Sequence, residues 1–472
     1  MKKNYFLLFF LSLSCAYSYA QIFDVATIQY KGDPNKFINL VIMGDGYTAT
    51  QQDDFIITAG NLSSYLFSQS PWSEYKDYFN VYAIKVISTQ SGAKHANTAS
   101  DCNSVFPLVP ISNPTNYFGT HFDAYGIHRL TVPSNNIAIA NVLANNFPNY
   151  DQVFIVANSP YYGGSGGAYA TFTANSDSNE VAAHEIGHSF AGLADEYYAG
   201  DQYFLEKPNM TQQSIPSLNK WTNWITPDDD IDIYSYCCGG NSAIWFKPAS
   251  HSCKMEELNR PYCSVCKQGI VEKIHTLVNP IVSYTPSNAT TIATTEPLID
   301  FQLTELMKPI PNTLHVKWQL DATLSDTNSE NFQVNQTILT EGIHTLTASV
   351  TDETTLVRVN NHATLHINTI SWQINKSSLG IYMQTQENKI ECRIYPNPSQ
   401  DAIHIAFDLD KNSTVAIDVI SPEGKIIHHI PSQIMNSGKQ ENTIPVEGIH
   451  TKTYFVVVTI DGVKYTTTMM KN

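Results

Sequence analysis

The chain has 472 residues, of which 42% are hydrophobic and 15% are charged, enough for about three domains that each bury a core. With 43 acidic against 27 basic residues, the formal net charge is −16, and no basic stretch stands out. We therefore expect neither nucleic acid nor an anionic membrane surface as a partner.

Residues 1–20 have the pattern of an export signal. Two lysines precede an apolar run, and Ser18-Tyr19-Ala20 is a small-x-small cleavage site, so the mature chain is predicted to begin at Gln21. The run is too short to span a bilayer, and no other stretch has that character. An alternative, in which Cys15 carries a lipid, needs a large apolar residue where Ser12 stands. The prediction is an exported protein without stable membrane insertion.

Residues 21–280 are predicted to form an α/β (α+β) domain. The near-continuous apolar runs "FINLVIMGDGY", "FNVYAIKVIS" and "QVFIVANS" indicate buried strands. Between the first two, "TATQQDDFIITAGNLSSYLF" opens with a threonine cap and has helical spacing. Because strands alternate with helices, a mostly parallel sheet is expected.

The segment "HEIGHSFAGLADEYY", His184 to Tyr198, carries the strongest chemical signal. Asp177 with Glu180 predicts a capping box at the start of a helix, on which His184 and His188 share one face. Two imidazoles so placed can bind one Zn²⁺. Glu185 lies about 100° round the helix, beside the metal, where it can act as general base and then general acid. The alternative is an amphipathic helix whose histidines are only solvated or hydrogen-bonded.

A catalytic zinc also needs a third protein ligand. Gly192 is predicted to end the helix in the left-handed conformation, so that Asp195 can turn back to the metal, with Glu196 as the alternative ligand. Upstream, Gly163, Gly164, Ser165, Gly166 and Gly167 form a loop that would let an extended peptide substrate approach an edge strand. A flexible hairpin without a ligand is the alternative for that loop.

Six cysteines lie between residues 102 and 266: Cys102, Cys237, Cys238, Cys253, Cys263 and Cys266. In an oxidising compartment they predict up to three disulfides. Alternatively, Cys263-x-x-Cys266 joins another pair of ligands around a structural zinc.

The rest of the chain is predicted to be all-β. Short strands such as "LHVKWQLDA", "NFQVNQTIL", "HTLTASVTD" and "HATLHINTI" indicate a β-sandwich at 281–375. A polar linker is expected at 376–387 and a second β-domain at 388–472. The predicted fold class is thus an α/β domain followed by two all-β, immunoglobulin-like sandwich domains.

Roughly residues 36–275 resemble the IgA-peptidase family of zinc metallo-endopeptidases. The matching blocks include "GDGYTATQ", "FNVYAIKVISTQSGA", "NYFGTHFDAYGIHRL", "NSPYYGGSGGAYA", "KPNM", "KWTNWI", "WFKPASHSCKM" and "YCSVC". The resemblance implies a metzincin-like fold with one catalytic Zn²⁺ and Met255 as the methionine turn beneath it. Metzincins place the glycine three residues after the second histidine, whereas Gly192 is four after His188.

The tail, from "IYPNPSQDAIHIAF" to "TYFVVVTIDGVKYTTTMMKN", resembles the C-terminal sorting domain read by type IX secretion. This implies passage through the periplasm and outer membrane to the cell surface or medium. The leading hypothesis is a secreted zinc endopeptidase acting on extracellular proteins. The alternatives are a surface binding protein with a vestigial zinc site and a zinc amidase acting on cell-wall peptides.

Overall fold

The computed structural model describes residues 21–104, 106–200, 204–227, 229–294, 296–376, 390, 392–421, 425–450 and 453–471. The predicted export signal and, apart from its first residue, the predicted linker lie outside these ranges. The chain divides into two compact units, with the division after residue 378.

The first unit begins with a six-stranded sheet in the order β1-β3-β2-β4-β6-β5. Strands β3, β2, β4 and β6 are parallel, whereas the edge strands β1 and β5 are antiparallel, which confirms the mostly parallel sheet. The strands are β1 Val25–Gln29, β2 Ile38–Asp45, β3 Phe79–Ile84, β4 Gln152–Ala157, β5 Gly164–Ser165 and β6 Ala170–Thr173, with a separate pair β7 Tyr234–Ser235 and β8 Phe246–Lys247; the helices are α1 Gln52–Leu66, α2 Asn136–Asn146, α3 Ser178–Ala191 and α4 Ser264–Leu277.

Helices cover both faces of this sheet, which explains why its central strands are largely apolar. Alternate side chains of β2 enter two different cores: Leu40 and Ile42 one, Val41 and Met43 the other. The first core contains residues of α1, α3 and α4, and the second contains residues of α2. A parallel strand buried on both faces has no polar alternation, so its sequence is a continuous apolar run.

Helix α3 begins at the predicted position, but the predicted capping box is wrong. Within the described chain, the Asp177 side chain makes no capping hydrogen bond. The Glu180 carboxylate instead accepts from the Lys254 ammonium at 2.5 Å and from the Asn259 amide at 2.8 Å. Lys254 is only 1% exposed, and a buried charge needs a partner more than the helix start needs a side-chain cap.

A two-layer antiparallel β-region follows in the same unit. Its sheets have the orders β13-β10-β9 and β12-β11-β14-β15, and they enclose a core around Trp318 and Trp372. The elements are β9 Ile281–Thr285, β10 Leu298–Leu306, β11 Leu314–Leu320, β12 Thr323–Ser325, β13 Asn331–Asn335, β14 Gly342–Asp352 and β15 Ile367–Lys376, with the short helix α5 His362–Leu365. We call this region, residues 281–376, the first sandwich.

One strand of the first sandwich was predicted incorrectly. "HATLHINTI" was expected to be a strand from its start, but its first four residues form α5. Strand β15 begins only at Ile367, where pairing with β14 starts, and it ends at Lys376, the first residue of the predicted linker. The residues before Ile367 contact α4 instead of a neighbouring strand, as the rings of His366 and His275 show.

The first sandwich packs directly against the α/β region. The Tyr75 hydroxyl donates to the Asp352 carboxylate at 2.6 Å, and the Tyr78 hydroxyl donates to the Met307 carbonyl at 2.7 Å. Met307 and Val357 also join the core beneath the sheet. Near residue 280 the sequence pattern changes from alternating strands and helices to strands alone. This change therefore marks a new type of secondary structure within one packed unit.

The second unit is all-β, as predicted for the tail. Two antiparallel sheets have the orders β16-β17-β20 and β19-β18-β21-β22, with a core of their own. The strands are β16 Arg393–Tyr395, β17 Ala402–Leu409, β18 Ser413–Ile420, β19 Ile426–Met435, β20 Gly438–Pro445, β21 Thr453–Ile460 and β22 Val463–Met470.

Candidate metal centre

Three side chains from α3 and the segment after it converge on one point. The Nε2 atoms of His184 and His188 are 3.1 Å apart, and Asp195 Oδ1 lies 3.0 Å from the first and 3.1 Å from the second. Ligands held about 2.0–2.1 Å from a tetrahedral zinc lie about 3.3 Å from one another. The three atoms therefore fit a single metal ion.

Asp195 reaches this point because the chain reverses at Gly192. That residue ends α3 in the left-handed conformation (φ 66°, ψ 25°), as predicted. Asn209 then fixes the next turn, since its Oδ1 accepts from the Ala194 amide at 2.7 Å and its Nδ2 donates to the Ala194 carbonyl at 2.9 Å. Both backbone groups of Ala194 are thus hydrogen-bonded to Asn209, which fixes the backbone just before Asp195.

Each imidazole is oriented by a backbone carbonyl behind it. His184 Nδ1 lies 2.9 Å from the Lys254 carbonyl oxygen, and His188 Nδ1 lies 2.8 Å from the Leu193 carbonyl oxygen. A carbonyl oxygen can only accept, so each Nδ1 carries a proton and each Nε2 is the nitrogen that faces Asp195 and the point where a metal would bind. This is the outer support that metal-binding histidines ordinarily have.

The charges in the centre are strongly coupled. Burial acts to lower the pKa of His188, but its hydrogen bond and charge interaction with Asp195 outweigh burial and raise that pKa to about 9. Conversely, burial acts to raise the pKa of Asp195, and the two imidazoles outweigh it and hold that pKa well below its usual range. The pocket therefore keeps a carboxylate anion in place, which favours a cation beside it.

Glu185 is buried beside these ligands and is not one of them. Its Oε2 atom has no hydrogen-bond partner among the described residues. Burial, the largest cause, raises the pKa of its carboxyl group above the ordinary value. A buried carboxylate oxygen without a partner requires an explanation, and a water or substrate atom in the adjoining space supplies one.

The structure brings Asp195, not Glu196, to the centre. The Glu196 side chain lies in a separate group, where its Oε1 is 3.1 Å from Cys266 Sγ and 2.9 Å from Asn209 Nδ2. Burial raises the pKa of Glu196 well above its usual value. Consecutive acidic residues thus face two different groups of candidate ligands.

Met255 lies directly beneath α3. It is fully buried, and a Cβ atom built on Gly187 would lie 2.7 Å from its Sδ. The Met255 carbonyl accepts a hydrogen bond from the Glu196 amide at 2.8 Å. That Met255 forms the methionine turn beneath a metal stays a prediction.

The glycine-rich loop divides into two parts. Cβ atoms on Gly163 and Gly164 would lie 2.2 Å from Thr131 Oγ1 and 2.5 Å from Val181 Cγ1, so packing within the fold accounts for both glycines. The Gly164 amide and carbonyl are bonded to residues 129 and 131, and Ser165 Oγ donates to the residue 131 carbonyl at 2.6 Å. The outer edge of β5 is therefore already paired at Gly164.

The second part of the loop faces the metal centre. A Cβ atom on Gly166 would lie 2.8 Å from Glu185 Oε2 and 3.2 Å from the His188 side chain. Gly167 has a φ of +129°, and a Cβ on it would meet no atom within 4 Å in the described structure. Gly166 is thus the loop residue that borders Glu185 and His188, and Gly167 after it faces open space.

One residue of the centre was missed in the sequence. The Tyr197 ring stacks on His184, with the centroids 6.3 Å apart. Burial, followed by the charges of Asp195 and Glu185, raises the pKa of this phenol. The tyrosine pair that begins two residues after Asp195 was the available signal.

Three further groups of side chains in the described residues have metal-binding composition, and only the cysteine pair of one of them was anticipated. They are His95, Cys102, Asp123 and His128; Glu196, Cys253, Cys263 and Cys266; and His275, His362 and His366. The spacing His362-x-x-x-His366, the same as that of His184 and His188, was a signal in the sequence that went unused.

Up to three disulfides were predicted, and the described residues contain one. Cys237 and Cys238 are joined, whereas Cys102, Cys253, Cys263, Cys266 and Cys392 are free thiols. The sulfurs of Cys253 and Cys266 are 3.6 Å apart, far beyond the disulfide bond length of about 2.0 Å. The thiols of Cys253, Cys263 and Cys266 instead surround the buried carboxylate of Glu196.

Family models match two parts of the chain. Residues 26–235 match IgA Peptidase M64, and residues 393–472 match the secretion system C-terminal sorting domain. No curated protein matches the chain. Among solved structures, the chain is 12% identical to SGBP-B of the Bacteroides ovatus mixed-linkage glucan utilization locus, in complex with a mixed-linkage heptasaccharide, over 34% of this chain and 38% of that chain. The TM-score of 0.14 is too low to carry an argument.

Two conclusions follow for the molecule. The C-terminal match indicates export to the cell surface or the medium. In the described residues, no helix is long and apolar enough to cross a membrane. The chain therefore contains a region that matches the IgA Peptidase M64 family model, followed by a region that matches a C-terminal sorting domain for secretion.

Proposed function

We propose that this protein is a secreted, zinc-dependent endopeptidase. His184, His188 and Asp195 would hold the ion, and Glu185 would be the general base. The observation that carries the proposal is the triangle of ligand atoms with sides of 3.0 to 3.1 Å, in which both imidazoles are oriented by backbone carbonyls.

The chemistry divides between the ion and the chain. When bound, zinc lowers the pKa of a water and polarises the scissile carbonyl group. Glu185 takes a proton from the attacking water and then delivers it to the leaving amine. Burial raises the proton affinity of Glu185, which suits a group that must both accept and return a proton. The Tyr197 ring stacks on His184 and would help to orient that ligand.

The substrate class follows from the loop beside Glu185. Gly166 and Gly167 carry no side chains, so an extended backbone can come close to the reacting carboxylate. Because the outer edge of β5 is already paired at Gly164, strand addition of a substrate would be confined to these two residues. A protein or peptide in extended conformation fits this arrangement.

The test compares the full chain with Glu185→Gln and, as a control, Glu341→Gln, an exposed carboxylate of the first sandwich. Zinc per chain is measured by elemental analysis, and cleavage is measured on a mixed peptide library. We expect Glu185→Gln to keep the zinc and lose about 10²- to 10⁴-fold in kcat, since only the general base is removed. The control should match the wild type.

Other results would point elsewhere. Cleavage by Glu185→Gln at the wild-type rate would remove Glu185 from the mechanism. Zinc in all three proteins without cleavage of any peptide would favour the surface binding protein, and hydrolysis of cell-wall peptides alone would favour the amidase. A chain whose zinc content does not fall on His184→Ala substitution would refute the metal centre.

A further inference from the structure

Three histidines meet where α4 packs on the first sandwich. His275 belongs to α4, His362 begins α5, and His366 follows α5. Each ring offers one nitrogen, and the three nitrogens lie within 4.8 Å of one another. None of these residues belongs to the centre at His184, and all three lie outside the part of the chain that matches the peptidase family.

The three rings form a nearly equilateral triangle. Their centroids are 5.0 Å apart for His275 and His366, 5.1 Å for His362 and His366, and 5.6 Å for His275 and His362. Imidazoles bound to one tetrahedral metal have centroids about 5 Å apart, because each centroid lies about 3 Å from the ion. The rings therefore have the spacing of a three-histidine metal site.

Each ring has a buried nitrogen that lacks a hydrogen-bond partner. Among the described residues, these atoms are His275 Nδ1, His362 Nδ1 and His366 Nε2. A buried polar atom left unsatisfied loses its hydration without compensation, so three of them together would be costly. A shared cation would satisfy all three at once.

The remaining nitrogens of two rings are already engaged, which fixes the nitrogens left for a metal. His275 Nε2 lies 3.0 Å from Asp352 Oδ2, and His362 Nε2 lies 2.5 Å from the Asp352 backbone carbonyl oxygen. Both acceptors hold the proton on Nε2 and leave the Nδ1 lone pair free. Asp352 is itself fixed by the hydroxyl groups of Tyr75 and Thr313, at 2.6 and 2.5 Å. Carboxylate and carbonyl groups behind histidines are the usual outer support of a metal site.

A carboxylate stands beside the three rings. Glu272 stands three residues before His275 on α4, and its Oε1 is 3.9 Å from His366 Nε2.

We propose that His275, His362 and His366 bind a divalent transition-metal ion, with the Glu272 carboxylate as the fourth ligand. Three imidazoles and one carboxylate in tetrahedral arrangement are a ligand set that zinc accepts. Glu272 and His275 belong to α4, whereas His362 and His366 belong to the first sandwich. The ion would therefore link the first sandwich to α4.

The test uses the full chain equilibrated with Zn²⁺ and freed of loosely bound ions. His362→Gln removes one ligand, and His344→Gln is the matched control, because His344 belongs to the same sandwich but is bonded to Asp321 and the Thr340 carbonyl. We expect His362→Gln to contain about one zinc fewer per chain than the wild type, whereas the control retains the wild-type content. Added Zn²⁺ should raise the unfolding temperature of the wild type more than that of His362→Gln.

Equal zinc content in wild type and in a folded His362→Gln variant would overturn the proposal. Should that variant fail to fold, wild-type crystals grown with zinc give the answer through anomalous scattering at the zinc edge. A peak enclosed by the three imidazoles is expected, and its absence would overturn the site. Both readouts are independent of peptidase activity and of the ion at His184.

Discussion

Tyr197 shows how a residue outside the ligand set can set the strength of metal binding. Its ring stacks on His184, and the charge of the Asp195 carboxylate is among the causes that raise the pKa of its hydroxyl group. We predict that the hydroxyl supports Asp195, so that Tyr197→Phe lowers zinc affinity by about 10- to 100-fold, the usual effect of removing an outer partner of a metal ligand. Competition with a chromophoric chelator measures this affinity.

The adjacent tyrosine is the control for that substitution. The ring of Tyr198 faces Tyr236, with the centroids 6.2 Å apart. Tyr198→Phe should therefore leave zinc affinity within about twofold of the wild type. Equal affinities in all three proteins would mean that the Tyr197 hydroxyl does not support Asp195.

The thiols beside Glu196 lead to a prediction about oxidation. Because Cys253, Cys263 and Cys266 converge on one buried carboxylate, we expect them to remain unpaired in the exported protein and to share a cation. Alkylation of the native chain followed by peptide mapping should show slow labelling that a zinc chelator accelerates. A peptide that links Cys253 to Cys266 would contradict this and restore the disulfide interpretation.

The sequence predicts ligand residues better than it predicts their supports. His184 and His188 follow from helical spacing, and the turn at Gly192 follows from the freedom of glycine at positive φ. The carbonyl of Lys254, which orients His184, leaves no trace in residue type, because every residue has a carbonyl group. Such partners can be found only once the fold brings distant segments together.

At the scale of elements, the short strand β5 and helix α3 define the space in front of Glu185. A methyl group at Gly166 would lie 2.8 Å from Glu185 Oε2, so Gly166→Ala must displace that carboxylate. We predict a fall in kcat of about 10²-fold, the scale expected when a reacting group moves by about 1 Å, with unchanged zinc content. Steady-state kinetics on one peptide, beside elemental analysis, measures both quantities.

Gly60 provides the control on another element. It lies in α1, where an added Cβ would meet no atom within 4 Å among the described residues. Gly60→Ala should leave kcat unchanged and stabilise the helix slightly. If Gly166→Ala also kept the wild-type kcat, the loop would not border the reacting carboxylate.

Elements were predicted correctly where burial alone decides them. Strands β2, β3 and β4 are buried along their whole length and appear in the sequence as continuous apolar runs. Helix α5 was read as a strand because its four residues are too few to show a helical period and because a true strand follows at once. Its formation depends on packing against α4, which is 85 or more residues earlier in the sequence.

For the whole molecule, the two units predict separable properties. Removal of residues 393–472 should leave the peptidase activity of each molecule unchanged but stop its passage across the outer membrane, because the sorting domain lies in the second unit. Activity and immunoblots of periplasm, cell surface and medium measure both effects. The Glu185→Gln chain with its tail intact should still be exported.

An equal surface or medium fraction for the shortened and complete chains would contradict that role of the tail. Peptidase activity lost on shortening would show that the first unit needs the second. The two outcomes are distinguishable because purified protein from lysed cells reports activity regardless of where the protein accumulates.

The segment Cys253-Lys254-Met255 has a consequence for any recombinant fragment of this protein. The Lys254 carbonyl orients His184, and the Lys254 ammonium binds Glu180. The Met255 side chain fills the space under Gly187. The family match nevertheless ends at residue 235, after all three candidate ligands. A gene fragment cut at that boundary would encode every reacting group and still yield an insoluble or inactive product, since the floor of its centre would be missing. The smallest fragment worth cloning extends at least through the first sandwich.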